Sequence, residues 1–200
     1  MKTMIQFLLP AYFLIYFGFV FIGASLLVAR RIGKSPLVFT NDDSAHALTG
    51  RYFKLIIFGL FIYMIGLAIF GADAHWQMHI HVFENKYIVF AGIFLLSFSL
   101  IWTIAAQRNM HNSWRIGIDH NMKTKLITWG LFRFSRNPTF VGMLSALLGF
   151  FMITPNVFTM LFFIIGYILI QIQVRLEEEH LLKVHGDEYV AYKNRVRRFL

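Results

Sequence analysis

The 200-residue chain is 58% hydrophobic, holds 23 phenylalanines and carries a formal charge of +9. A water-soluble domain is about 45–50% apolar, so this excess is too large for one small soluble core. The absence of cysteine excludes disulfides, thiol nucleophiles and thiolate metal sites.

A bilayer crossing takes roughly 20 apolar residues over about 30 Å of hydrocarbon. The first apolar run, 4–29, is too long for a signal-peptide core and lacks a small-residue cleavage pattern, so it reads as a retained helix. Runs 52–70 and 87–106 are a second and a third span. A polar stretch follows, 107–137. Two further apolar runs, 140–153 and 157–174, are separated by Thr154, Pro155 and Asn156, a tight-turn signal that predicts an antiparallel hairpin. The run 140–153 is short. Either its helix continues into the polar segment at depth, or protein shields its end. The fold expected is all-α: a polytopic membrane protein of about five transmembrane helices, followed by a helical C-terminal segment. Residues 1–106 form three spans, and residues 107–200 form a core of hairpin plus C-terminal helix.

Seventeen of the 19 Lys and Arg residues fall in segments 30–54, 107–137 and 175–200, leaving Lys2 and Lys86 on the other side. Lys and Arg accumulate on the cytoplasmic side of inner membranes. The N-terminus is therefore expected outside and the C-terminus in the cytoplasm, as in a bacterial inner-membrane protein. The charge is accounted for by topology, which removes the case for nucleic-acid binding. In loop 71–86, His75 and His79 share a face if that stretch is helical, and His81 follows. A metal site needs a third ligand and an ordered surround. No carboxylate stands at such a spacing, so the loop reads as interfacial and no metal is expected.

Two clusters carry possible chemistry. The first runs from Gly130 through Phe132, Arg133 and Arg136 to Asn137, Pro138, Phe140 and Gly142. Asn137 suits a helix N-cap and Pro138 the first helical position. On that reading alone, the arginines are flanking charges. The second is Arg175, Glu177, Glu178, Glu179 and Leu181, then His185, Gly186, Tyr189, Tyr192, Val196 and Arg198. Three adjacent carboxylates after a transmembrane run are a functional candidate. Arg175 stands three and four residues before Glu178 and Glu179, a spacing that allows pairing.

Together the clusters resemble the isoprenylcysteine carboxyl methyltransferase and phospholipid methyltransferase group of integral membrane enzymes. The resemblance runs over Leu126, Ile127, Thr128, Gly130, Phe132 and Arg136 to Phe140, then Arg175, Glu177, Glu178, Leu181, His185, Gly186, Tyr189, Tyr192, Val196 and Arg198. The upstream stretch 112–119 is similar to bacterial members. The likeness covers roughly 107–200. Departures are Phe132 and Phe140 where tyrosines are common, His185 for a phenylalanine, and Gln173 where some relatives carry a substrate-binding arginine.

The resemblance implies S-adenosylmethionine as methyl donor, bound at the cytoplasmic face. It implies donor contacts from Asp119, Lys125, Leu126, Ile127, Phe132, Arg136, Asn137, Pro138, Phe140 and Glu177. Aromatic faces of Phe132 or Phe140 suit the sulfonium. Arg175 and Glu178 are the expected catalytic pair, with Arg175 holding an anionic group of an amphipathic lipid or isoprenoid acceptor drawn from the bilayer. The acceptor's identity, amine against carboxylate, and the oligomeric state are not legible. Two other classes remain open: a nicotinamide-dependent lipid or sterol reductase, whose members are usually longer, and a non-catalytic membrane scaffold, which leaves the carboxylates unexplained.

Overall fold

The computed structural model describes residues 2–33, 43–72, 74–114 and 125–200. Six helices account for most of them: α1 (Lys2–Ile32), α2 (Ala45–Phe70), α3 (Lys86–Met110), α4 (Pro138–Ile153), α5 (Val157–His185) and α6 (Asp187–Arg195). No strand occurs among the described residues. The helices α1, α2, α3 and α5 are long and apolar enough to cross a membrane, and α4 is a shorter apolar helix of 16 residues. The expected five-helix membrane architecture is what the chain forms. Phe58, Phe70, Phe90, Phe94 and Ile101 lie more than 60% exposed, as side chains facing lipid do.

Helix boundaries follow local chemistry. Ser44 and Asn85 cap α2 and α3 by accepting from the amides of Ala47 and Tyr87. Asn156 and Thr159 form a reciprocal capping box at the start of α5. The turn of Thr154, Pro155 and Asn156 joins α4 to α5 as the sequence predicts.

Small residues let α3 and α4 approach closely, as helices in lipid require. A Cβ on Gly149 would meet Leu96 at 2.8 Å and the Gly92 carbonyl at 3.0 Å. One on Gly142 would run into Thr103. Polar side chains reinforce this seam. Ser99 Oγ donates to the Gly142 carbonyl at 2.6 Å, and Trp102 Nε1 to the Pro138 carbonyl at 2.9 Å. A second polar ladder ties α1 to α3. Tyr12 donates to the Leu96 carbonyl at 2.9 Å, the Tyr16 and Thr103 hydroxyls lie 3.1 Å apart, and Gln107 Nε2 donates to the Val20 carbonyl at 2.8 Å. Val20 sits in a π-helical stretch, Gly18–Gly23, whose wider winding frees carbonyls for such partners.

At the end of the bundle away from the arginines, loop and turn interlock. Ile80 N donates to the Pro155 carbonyl at 2.9 Å. Asn156 Nδ2 donates to the Tyr63 hydroxyl at 2.8 Å and to Gln77 Oε1 at 3.3 Å. The histidine stretch is not one helix but two short 3-10 turns, His75–Gln77 and His81–Phe83. The rings brought together there are His79 and His81, whose Nδ1 atoms lie 3.4 and 3.2 Å from Glu84.

Candidate functional site

The first motif begins in a 3-10 turn, Gly130–Arg133, which packs against α3. Asn109 Oδ1 accepts from the Leu131 amide at 2.8 Å, and Gly130, at φ 62°, leaves room for the Asn109 side chain where a Cβ would stand. From below, the Tyr192 hydroxyl donates to the Phe132 carbonyl at 2.7 Å. The backbone then turns at Ser135, fully buried, into α4. The short helix is thus shielded by protein at its basic end, the second of the two possibilities its length allowed. Asn137 occupies the N-cap and Pro138 the first turn, as expected, but the Asn137 side chain does not cap. Its amide reaches outward instead, donating to the Arg198 carbonyl at 3.1 Å and to Glu178 Oε1 at 3.5 Å.

Arg136 is the hub. Its Nε and Nη2 grip Glu178 Oε1 at 3.1 and 2.9 Å, and Nη1 donates to the carbonyls of Val196 at 2.6 Å and Lys193 at 3.0 Å. Arg198 holds the same carboxylate from the other side, with Nη2 2.8 Å from Oε2. The Arg136 and Glu178 side chains are each only 8% exposed, against 34% for Arg198. Burying a carboxylate is tolerated because two guanidiniums and an amide replace its water.

Successive helical residues point about 100° apart. The three consecutive glutamates therefore do three different things. Glu178 enters the arginine clamp. Glu179 pairs on the surface with Lys183 at 2.6 Å. Glu177 accepts from Gln173 Nε2 at 2.8 Å, and among the described residues it has no cationic partner. Arg175 does not pair with Glu178 or Glu179, contrary to the expectation from spacing. Its guanidinium folds back one turn onto Gln171, 2.7 Å from the carbonyl and 2.8 Å from Oε1, and is exposed. Glu178 faces the bundle interior, away from it.

Gly186, at φ 52°, ends α5 and lets α6 fold back beneath the clamp. Tyr189 and Tyr192 are 1% and 3% exposed, with rings 6.1 Å apart. Burial, helped by the Glu178 carboxylate, pushes the Tyr189 phenol up to about 12, and Tyr192 is raised further by burial and by Tyr189. Both hydroxyls stay protonated. The hydrogen bonds that Arg198 donates to the Glu178 carboxylate hold its guanidinium firmly in its charged form.

The structure therefore gathers Phe132, Arg136, Asn137, Pro138 and Glu178 at one corner, with Glu177 one residue along. Phe140 is half-buried in the first turn of α4. Lys125 is exposed, and Leu126 and Ile127 are half-buried on the approach to the 3-10 turn. Asp119 lies outside the described residues. Ser135, Asn109 and Arg198 were not among the expected site residues. Arg198 alone carried a signal, as the last member of the second motif.

A bundle of apolar membrane-crossing helices with its buried charge concentrated at one end defines an integral membrane protein with a polar site at its rim. The family model for phospholipid methyltransferases matches residues 85–188, and the chain belongs to that family. It is a membrane methyltransferase of the kind that acts on lipids. No curated protein matches it individually. The matched segment begins at α3 and ends at the start of α6, so it contains both motif cores but not Arg198.

Proposed function

We propose that the protein transfers a methyl group from S-adenosylmethionine to an amphipathic lipid or isoprenoid acceptor, as isoprenylcysteine carboxyl methyltransferases do, at the cytoplasmic face of a bacterial inner membrane. The observation that carries this is the asymmetry of the paired glutamates. Glu178 is neutralised by two arginines, whereas Glu177, beside it, has only an amide partner among the described residues. A carboxylate without a counter-ion at the end of a transmembrane helix is costly, and a ligand's ammonium group repays that cost.

The residues fit such a donor. Glu177 accepts from its ammonium group. Asn137 and Pro138, with Arg136 behind them, form the rim, and the backbone of Lys125, Leu126 and Ile127 borders the adenine. Phe132 and Phe140 supply aromatic surface for the positive sulfur. When bound, the donor supplies an electrophilic methyl carbon. The acceptor's lone pair forms the new bond while the carbon–sulfur bond breaks, and its electron pair stays on sulfur, leaving a neutral thioether. A carboxylate acceptor needs no base, while an amine acceptor also loses a proton to water or a nearby side chain. The protein's contribution is alignment of two reactants and exclusion of water. Arg175, exposed on α5, orients an anionic group of the acceptor.

The test is incubation of the purified protein with tritiated donor and native lipid extract, followed by mass spectrometry of the labelled species, alongside calorimetry of donor binding. Labelled lipid and a measurable donor affinity are expected, with Glu177→Gln weakening that affinity at least tenfold. Undiminished donor binding by this variant overturns the assignment.

A further inference from the structure

The residues after α6 lie beyond the segment that the family model matches, 85–188, yet they are bonded into the site from several directions. The Arg136 amide donates to the Arg197 carbonyl at 2.9 Å, and its guanidinium to the carbonyls of Lys193 and Val196. Ser135 Oγ and Asn137 Nδ2 both donate to the Arg198 carbonyl, at 3.3 and 3.1 Å. The Arg198 side chain returns to both oxygens of Glu178, with Nε 3.2 Å from each and Nη2 2.8 Å from Oε2.

Two consequences follow. The Asn137 amide faces a carbonyl and a carboxylate, both acceptors, so only its nitrogen can stand there and its oxygen is turned the other way. The tail thus dictates which end of Asn137 is presented to a ligand. Glu178 is likewise held at both oxygens and cannot rotate. Of the two guanidiniums on Glu178, that of Arg198 is the more exposed, and it belongs to a short segment rather than to a transmembrane helix.

We propose that Arg198 is a positioning residue for the methyl-transfer site: by clamping Glu178 and docking its own carbonyl on Asn137, it fixes the donor-facing corner, which forms only when the tail is seated. This rests on the methyltransferase reading given above. Lysine cannot reproduce the fork that grips two oxygens at once.

The experiment compares wild type, Arg198→Ala and Arg198→Lys in detergent. Three readouts are needed: donor KM and kcat, melting temperature, and hydrogen exchange at the Arg136 amide, which reports tail docking without any ligand. Arg198→Ala is expected to raise donor KM about tenfold or more with a smaller change in kcat. Its Arg136 amide exchanges faster, and donor slows that exchange in wild type but not in the variant. Arg198→Lys falls between the two. Unchanged exchange at Arg136 in the alanine variant overturns the docking role. Unchanged donor KM, or a KM rise only in step with a falling melting temperature, overturns the positioning role. Failure of the wild type to bind or use donor sinks the methyltransferase reading instead, and the exchange measurement still reads the tail.

Discussion

The two ends of the bundle solve the burial of polar groups in opposite ways. At one end Tyr63, Gln77, Thr154 and Asn156, all nearly inaccessible, satisfy one another as neutral groups. At the other, Arg136, Glu178 and Arg198 do so as ions. Unpartnered buried atoms occur at both, Trp76 Nε1 and His79 Nε2 at the first, Thr139 Oγ1 and the Tyr189 hydroxyl at the second. Such atoms therefore do not distinguish the two ends. Charge does. A neutral network is the less costly way to lock a turn, since removing two charges from water costs several kcal/mol per ion before any bond is regained.

The comparison is broken or sharpened by substitution. The largest effect is expected from Glu178→Ala, which strands two guanidiniums in a partly buried corner. Loss of one partner of such a pair costs about 3–5 kcal/mol, read by denaturation in detergent, and donor binding should vanish with it. Asn156→Ala removes the capping box and the link to Tyr63, a cost of about 1–3 kcal/mol for the groups left unsatisfied. Its donor affinity should equal wild type. If calorimetry shows affinity falling as far as it does for Glu178→Ala, the two ends are not functionally distinct. Arg175→Ala should shift stability by no more than about 0.5 kcal/mol, as exposed substitutions do. Its signature is a raised acceptor KM with donor KM untouched, and equal kinetics for both substrates would remove Arg175 from the reaction.

Much of the architecture is legible in the chain because it rests on short-range rules. Twenty-residue apolar runs, the turn at Pro155 and the start of α4 at Asn137 and Pro138 all emerge at the expected places. The site is legible only in part. Spacing shows that Arg175 can reach Glu178 but not which way the helix is rotated, and rotation decided that Glu178 meets Arg136 and Arg198 instead. Which of three adjacent glutamates lacks a cation is hidden for the same reason. The grip of the tail on Ser135 and Asn137 joins residues more than 60 apart, and although Gly186 marks a helix stop, the direction of the reversal there is not set by local pattern. The π-helical winding of α1 has no sequence signal that we can name.

The length of α5 places its carboxylates in depth. Its first residue, Val157, follows directly on the far-side turn. At about 1.5 Å per residue, some 20 residues use up the roughly 30 Å of hydrocarbon, which brings the helix to the neighbourhood of Leu176. The next two residues are Glu177 and Glu178. The helix thus serves as a ruler, setting its carboxylates at the seam between oil and water. A reactant dissolved in the aqueous phase and one anchored in the leaflet can meet there without either leaving its own solvent.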